Sequence, residues 1–208
     1  MAIQKFGAAA AAALVLVADS ASAAIVYSGP LNLAIPVGTT SPVPRLWVDL
    51  DTFATSTTAS FTGWDISFSG SSSTFLTINS QTLSNNRFVG TGTGTPTPIA
   101  RLEVGTVIGA SSTFGTNGGG SLLMPTYLPA PGPILANSEN IIGFRRVVNG
   151  LTIYGWISVL VGNDMLTRSV TGIAYEDSGA AIEAGAIPAP GALALLGLGG
   201  LISARRRR

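Results

Sequence analysis

The feature that most constrains the fold of this 208-residue chain is the dipeptide Asn149-Gly150, which separates two β-rich runs within residues 141–161. Asn-Gly is the preferred centre of a two-residue hairpin turn, because both of its positions tolerate positive φ. A turn at this point fixes the register of the two runs and places Val148 opposite Leu151. The sequence therefore predicts an antiparallel hairpin here.

The same register places two glycines opposite aromatic residues. Gly155 would face Phe144, and Gly143 would face Trp156. A ring opposite a glycine can cover the bare backbone and form a favourable cross-strand pair. Turn chemistry and side-chain pairing thus indicate the same hairpin.

Composition favours β structure in the rest of the chain as well. Only 10% of the residues are charged, and the single lysine is Lys5. Long amphipathic helices need charged and amide side chains on their solvated face, whereas strands can carry Ser and Thr there. The 26 glycines and 12 prolines indicate many turns. We therefore expect a β-rich body.

Alternation of apolar and polar residues predicts further strands. These are residues 31–35, 45–50, 75–78, 99–108 and 171–176. In the second of them Leu46, Val48 and Leu50 share one face, which we expect to be buried. In the fourth we expect Leu102 and Val104 to point inward.

The first 23 residues have the pattern of a secretory signal peptide with a helical apolar centre. Lys5 supplies positive charge near the amino terminus, and residues 6–18 form an apolar segment that is short for a membrane span. Ala21 and Ala23 give the small-x-small pattern of a cleavage site, so cleavage is expected to leave Ala24 as the first residue. This interpretation implies signal peptidase and the Sec translocon as partners.

The last 22 residues, 187–208, form a second distinct segment. Pro188 and Pro190 prevent a helix or a sheet ladder from running through them. Residues 191–204 carry no charge, and such a run followed by arginines is typical of a membrane segment with a cytoplasmic carboxyl end. Its helix would span roughly 21 Å, short of a hydrocarbon core of about 30 Å, which suits a temporary stop. Just before it, residues 180–186 are expected to form one short helical turn.

The Pro-x-Pro motif, the apolar run and the terminal arginines together resemble the PEP-CTERM sorting signal of Gram-negative and related bacteria. The matching residues are Pro188, Ala189, Pro190, Arg205, Arg206, Arg207 and Arg208. Ala189 stands where the usual Val-Pro-Glu-Pro motif has glutamate. The resemblance implies recognition by an exosortase, a membrane-embedded transpeptidase-like enzyme. It further implies removal of the tail from an inner-membrane intermediate and delivery to the cell surface or the extracellular matrix.

Three segments of the body carry a second resemblance: Gly-Phe-Arg at 143–145, Tyr-Gly-Trp at 154–156 and Ala-Tyr-Glu-Asp at 174–177. They are similar to strands in the C-terminal half of a frequent PEP-CTERM body, although Arg146 stands where that body has a second aromatic residue. The resemblance implies that residues 24–186 fold as a single antiparallel, jelly-roll-like β-sandwich without known activity. The chain is then all-β apart from the helices of its signal peptide and tail.

The body offers few groups for catalysis or for nucleic-acid binding. The chain has no histidine and no cysteine, which excludes Ser-His-Asp and Cys-His catalysis and the usual zinc sites. Residues 24–187 hold six arginines against nine acids, a charge of −3, whereas nucleic-acid binders present a basic surface. We therefore expect no enzyme activity, no cofactor and no nucleic-acid partner.

The acidic residues raise two further possibilities, a calcium site and a glycoside hydrolase. Asp49, Asp51, Asp65 and Asp164 offer the oxygen ligands that calcium prefers. No run spaces acids as a calcium loop does, so ordinary polar strand edges are the preferred interpretation and no metal site is expected. A secreted glycoside hydrolase would need two carboxyl groups roughly 5–9 Å apart in a cleft, a distance that the sequence does not give.

Aromatic residues allow a binding function. Trp47, Trp64, Tyr154 and Tyr175 could stack on sugar rings, since exposed aromatic side chains often mark binding surfaces. Trp156 belongs to the same aromatic set. Packing in the core is the other interpretation of these residues, and the expected position of Trp156 over Gly143 favours it. The leading hypothesis is a non-catalytic, exported protein of the cell surface or the exopolysaccharide matrix. A carbohydrate-binding module of the extracellular matrix is the alternative.

Overall fold

The body of the chain is built from strands and turns. The residues described by the computed structural model are 24–38, 42–70, 72–81, 86–90, 98–115, 119–126 and 132–188. These residues contain thirteen β-strands and no helix. The prediction of an all-β body with antiparallel pairing is therefore confirmed for the described part of the chain. The predicted signal peptide and most of the tail lie outside it.

The strands form two larger sheets and one two-stranded ribbon. In chain order they are β1 (Ile25–Tyr27), β2 (Leu33–Ala34), β3 (Leu46–Val48), β4 (Thr55–Ser56), β5 (Ile66–Ser69), β6 (Phe75–Ser80), β7 (Arg87–Phe88), β8 (Val107–Ile108), β9 (Gly119–Leu123), β10 (Ser138–Val148), β11 (Leu151–Val161), β12 (Arg168–Glu176) and β13 (Ile182–Glu183). The six-stranded sheet has the order β1-β12-β11-β10-β7, and β2 also pairs with β12. The five-stranded sheet has the order β4-β3-β5-β6-β9, and β13 pairs with β8. Every one of these strand pairs is antiparallel.

The two longest strands, β10 and β11, form the predicted hairpin. Asn149 and Gly150 have φ angles of 50° and 82°, the positive values that a two-residue turn of this kind requires. Val148 lies opposite Leu151, and both predicted glycine–aromatic pairs are present. The hairpin and its register are therefore confirmed.

The two glycines of the hairpin are covered by different groups. A Cβ atom at Gly155 would meet the ring of Phe144, so the predicted cover is confirmed there. At Gly143 the nearest atoms are aliphatic side-chain carbons of three other residues, so the expected cover by Trp156 is wrong. Trp156 is held elsewhere, because its indole N–H donates to the carbonyl of Ala186.

One hydrophobic core joins the two larger sheets. Its buried side chains include Leu46, Val48, Ile66 and Phe68 from the five-stranded sheet and Ile142, Phe144, Ile157 and Ile173 from the six-stranded sheet. The predicted buried face at β3 is confirmed, since Leu46, Val48 and Leu50 are 2%, 0% and 0% exposed. Burial of this apolar surface is the main favourable contribution to the free energy that holds the two sheets together.

A smaller hydrophobic cluster lies on the outer face of the six-stranded sheet. Tyr154 and Trp156 alternate along β11 with Ile153 and Ile157, which belong to the main core. Because successive side chains of a strand point to opposite faces, the two aromatic residues point away from that core. The ribbon of β8 and β13 contributes to this cluster through buried Ile182, among others.

The helical turn expected at residues 180–186 is wrong. Ile182 and Ala184 are buried while Glu183 between them is exposed, which is the two-residue period of a strand. The backbone of this segment pairs with β8, a partner that local sequence patterns do not indicate.

The strand expected at residues 99–108 is also wrong over most of its length. Only Val107–Ile108 is a strand, with isolated bridges at Ile99 and Leu102. Val104 is 77% exposed rather than inward. The reason is a turn at Gly105, whose φ of 84° takes the chain out of extended conformation before β8.

Candidate functional site

A groove lies on the outer face of the six-stranded sheet, beside the smaller cluster. Its volume is about 330 Å³, at the lower end of the range for small-molecule sites. Tyr27 of β1 and Trp156 of β11 form one wall, with ring centroids 5.9 Å apart and ring planes at 39°. A Cβ atom at Gly172 of β12 would lie 3.4 Å from each ring, which is ordinary van der Waals contact.

Two hydroxyl groups that line this groove have no hydrogen-bond partner. Ser158 of β11 is 5% exposed, and neither its Oγ nor the buried Oγ1 of Thr171 is paired with any described group. The pairing of β11 with β12 shifts between Ser158 and Val159, which leaves Thr171 as an extra residue in β12. Such a bulge redirects a side chain, and Thr171 thereby lines the same groove as Ser158.

The rim of the groove carries one acid and the last described residues of the chain. Glu139 of β10 is exposed, and it is the one charged residue in the described part of the chain that lines the groove. The indole N–H of Trp156 donates to the carbonyl oxygen of Ala186 over 3.0 Å, which fixes this segment to the body. Ile187 and Pro188 beyond it are exposed. The chain therefore leaves the body at the edge of the groove.

A cluster of charged residues lies between the two larger sheets. Asp49, Asp51 and Asp65 each bring a carboxylate oxygen to within 4.8 Å of the others. Arg146 of β10 is 3% exposed and donates to Asp51 and, over 3.2 Å, to Asp65. Arg146 thus pairs with two of the three acids. Because the side chain of Asp51 is 60% exposed and that of Asp65 is 15% exposed, the arrangement is a partly buried ionic link between the sheets.

Burial and hydrogen bonding have opposite effects on the pKa of Asp65 in this cluster. Burial raises the pKa of Asp65, while the backbone N–H of Leu50, which donates to its Oδ2 over 2.8 Å, and the charge of Arg146 lower it. Burial also raises the pKa of Tyr175, whose ring centroid lies 5.1 Å from the Arg146 guanidinium carbon.

Asp164, the fourth acid considered for calcium, lies outside this cluster. Its carboxylate accepts hydrogen bonds from the backbone N–H and hydroxyl of Thr167 and from the backbone N–H of Leu166, which lower its pKa. Asp164 thus closes the turn between β11 and β12.

The four aromatic residues predicted as glycan contacts are not gathered on one surface. Tyr154 and Tyr175 are 7% and 8% exposed and belong to the outer cluster and the main core, on opposite faces of one sheet. Trp47 lies on β3 in the other sheet, and Trp64 precedes β5. Core packing therefore accounts for the two tyrosines.

The predicted processing sites lie at the two ends of the described chain. The backbone N–H of Ala24 donates to Asp177 over 3.1 Å, and the Asp177 N–H donates back to the Ala24 carbonyl. Ala21, Ala23, Ala189, Pro190, Arg205, Arg206, Arg207 and Arg208 lie outside the described residues. Within those that are described, no helix is long and apolar enough to cross a membrane.

Sequence reasoning missed the residues that shape the groove. Ser158 offered the one signal, since it interrupts an apolar run between Ile157 and Val159. Tyr27 and Thr171 reach the groove only through pairings between distant segments. Comparison with protein-family models, with curated proteins and with solved structures finds no match to this chain. The function is therefore argued from the sequence and the geometry of the chain itself.

Proposed function

We propose that this protein is an exported, non-catalytic component of the bacterial cell surface or exopolysaccharide matrix, sorted by its PEP-CTERM-like tail. The observation that carries the proposal is the tail sequence itself, with Pro188-Ala189-Pro190, an uncharged apolar run and four terminal arginines. An exosortase-like membrane enzyme is its main partner in this proposal.

The geometry at the end of the body supports this proposal. Ala184 is buried, the carbonyl of Ala186 is held by Trp156, and Ile187 is 52% exposed. The change from packed to exposed chain thus occurs immediately before the Pro-Ala-Pro motif. An enzyme acting at Pro188 would meet an exposed residue.

We further infer that the body is a single jelly-roll-like β-sandwich whose two larger sheets are its layers. The shared core of the two sheets supports this inference. Engagement of Asp51 and Asp65 by Arg146 supports a non-catalytic body, because the acids that come closest together are held in ion pairs. A carbohydrate-binding module is the second candidate function, and the groove is the observation that favours it.

Deletion of residues 188–208 tests the sorting proposal. We expect the truncated protein to be exported but no longer held at the cell surface, and cell fractionation with immunoblotting measures this directly. A full-length chain in which glutamine replaces each terminal arginine keeps the apolar run and should also be mislocalised. Delivery of the truncated protein to the same surface location as the native protein would contradict the proposal.

Restoration of the usual glutamate gives a sharper prediction about processing. Ala189→Glu should increase the fraction of surface protein that is cut near Pro190, because the resemblance assigns that position to recognition by the enzyme. Mass spectrometry of surface-extracted protein distinguishes chains that end near Pro190 from chains that end at Arg208. Ala189→Gln is the matched control, with a side chain of the same size and no charge. An equal gain in both variants would show that charge at this position is irrelevant.

A further inference from the structure

We propose that the groove bounded by Tyr27, Trp156, Ser158 and Thr171 binds a single neutral pyranose unit of a glycan. This proposal deepens the carbohydrate-binding candidate, and it does not depend on the sorting tail. Of the aromatic residues that the sequence indicated, Trp156 is the one that lines this groove.

The two unpartnered hydroxyls are the first observation. Buried polar groups in proteins are nearly always hydrogen-bonded, so two neighbouring exceptions on one face require an explanation. Ser158 is 5% exposed and Thr171 is held on the same face by a bulge, and both residues line the groove with their hydroxyl oxygens buried beneath its surface. Each hydroxyl can donate and accept, which matches the adjacent hydroxyl groups of a sugar ring.

The aromatic wall is the second observation. Tyr27 and Trp156 line the groove together with Ser158 and Thr171. Trp156 is 4% exposed, so the partly exposed ring of Tyr27 is the one that a ligand can reach. A pyranose has a face of C–H groups that packs on an aromatic ring while its hydroxyls remain free for hydrogen bonds. The cavity volume of about 330 Å³ suits one such ring rather than an extended chain.

The charge of the residues that line the groove determines which polar ligands of this size fit it. Of the described residues that line the groove, Glu139 is the one that carries a charge. Its carboxylate can accept from a sugar hydroxyl, but it repels a phosphate, a sulfate or a uronic acid. Arg146, which could pair with an anion, is on the main-core face of the same sheet. The ligand that fits these groups is therefore a neutral sugar.

A titration followed by nuclear magnetic resonance tests the proposal. The full chain, in a detergent without a sugar headgroup, is titrated with methyl glycosides of glucose, galactose, mannose and N-acetylglucosamine. At least one should shift the Trp156 indole N–H and the backbone amides around Ser158 and Thr171. Ser158→Ala and Thr171→Val should each weaken binding about tenfold, which corresponds to the loss of one hydrogen bond.

Measurements of protein stability distinguish a role of Ser158 in ligand binding from a role in holding the fold. Ser158→Ala should leave the melting temperature unchanged or raise it, because it removes a buried hydroxyl that lacks a partner. Ser67→Ala is the matched control: Ser67 is 1% exposed in β5, and its Oγ accepts from Arg45 over 3.5 Å. This control should leave sugar binding unchanged.

Three results would overturn the proposal. The first is the absence of any shift around the groove with every glycoside. The second is binding that Ser158→Ala and Thr171→Val leave intact. The third is a response only to glucuronic acid or to a Pro-Ala-Pro peptide, tested in parallel, since the groove would then serve an anion or a peptide.

Discussion

Two buried arginines show how single residues connect the sheets of this protein. Arg146 and Arg168 are each 3% exposed, and a buried cation is tolerated only where it is paired and hydrogen-bonded. Arg146 pairs with the carboxylates of Asp51 and Asp65. Arg168 instead donates hydrogen bonds to the carbonyl oxygens of Met165, Phe75 and Ser72. Burial lowers the pKa of Arg168 to about 10, so it is still charged at neutral pH.

Replacement of Arg146 by methionine should destabilise the fold by about 3 kcal/mol, because it leaves Asp65 buried without its positive partner. Urea denaturation of the variant and the native protein measures this difference in the free energy of unfolding. Arg145→Gln is the matched control: Arg145 neighbours Arg146 in sequence but lies on the outer face, 4.9 Å from the Phe114 ring centroid. Its loss should cost less than about 1 kcal/mol.

The defect of the Arg146→Met variant should depend on pH through Asp65. Burial already raises the pKa of this carboxyl in the folded protein, and loss of the arginine raises it further. Because the pKa of Asp65 is higher in the folded state, the folded protein binds more protons than the unfolded protein above pH 3.8. The free energy of unfolding therefore falls as the pH rises from 3.8 through the pKa of the folded state. The defect should therefore shrink as the pH is lowered from 7 toward 4, and adding Asp65→Asn should remove part of it. A defect that is the same at both pH values would point to lost packing instead.

At the scale of elements, the β10–β11 hairpin shows that two glycines in one hairpin can have different roles. Gly155 lies where a Cβ atom would come within 2.5 Å of the Ala174 carbonyl oxygen in β12. Gly143 lies where a Cβ atom would come within 2.7 Å of a methyl group of Val89. A neighbouring strand's backbone cannot move away as a side-chain methyl group can.

Gly155→Ala should therefore destabilise the protein by about 3 kcal/mol and Gly143→Ala by about 1 kcal/mol. Thermal and urea unfolding of the two variants provide the comparison. Each serves as the control for the other, because both add one methyl group to a glycine of the same hairpin. A larger loss for Gly143→Ala would mean that the outer cluster is packed more rigidly than the β11–β12 contact.

The elements that could be predicted from the sequence are those whose determinants are local. The hairpin follows from Asn149-Gly150 and its flanking residues, and the buried face at β3 follows from simple alternation. β13 could not be predicted because its partner, β8, is distant in the chain. The ionic link was missed for the same reason, since Arg146 is 95 residues from Asp51. The groove depends on a bulge, which apolar patterning does not encode.

At the scale of the whole molecule, both ends of the body meet at the outer face of the six-stranded sheet. Tyr27, near the amino end, and Ile187, at the carboxyl end, line the same groove. Ala24 is tied to Asp177 by a pair of backbone and side-chain hydrogen bonds. If cleavage occurs before Ala24, as proposed, the amide that donates to Asp177 becomes a charged ammonium group.

Asp177→Asn should therefore destabilise the cleaved protein more than the uncleaved precursor, by at most about 1 kcal/mol because the pair is exposed. Unfolding of both forms at low and high salt measures the difference, which should decrease as salt screens the ammonium–carboxylate pair. Asp164→Asn is a control acid in a turn far from Ala24 in the sequence. Equal effects of Asp177→Asn on precursor and cleaved protein would argue against a new ion pair at Ala24.

The pairing of β1 with β12 also delays completion of the six-stranded sheet. Ala24 and Asp177 are 153 residues apart in the chain, so β1 has no partner until β12 has been made. Such long-range pairing slows folding, because the loop must close before the contacts that reward it can form. The six-stranded sheet is therefore completed only near the end of synthesis, whereas β3, β5 and β6 of the other sheet pair with strands that are close in sequence.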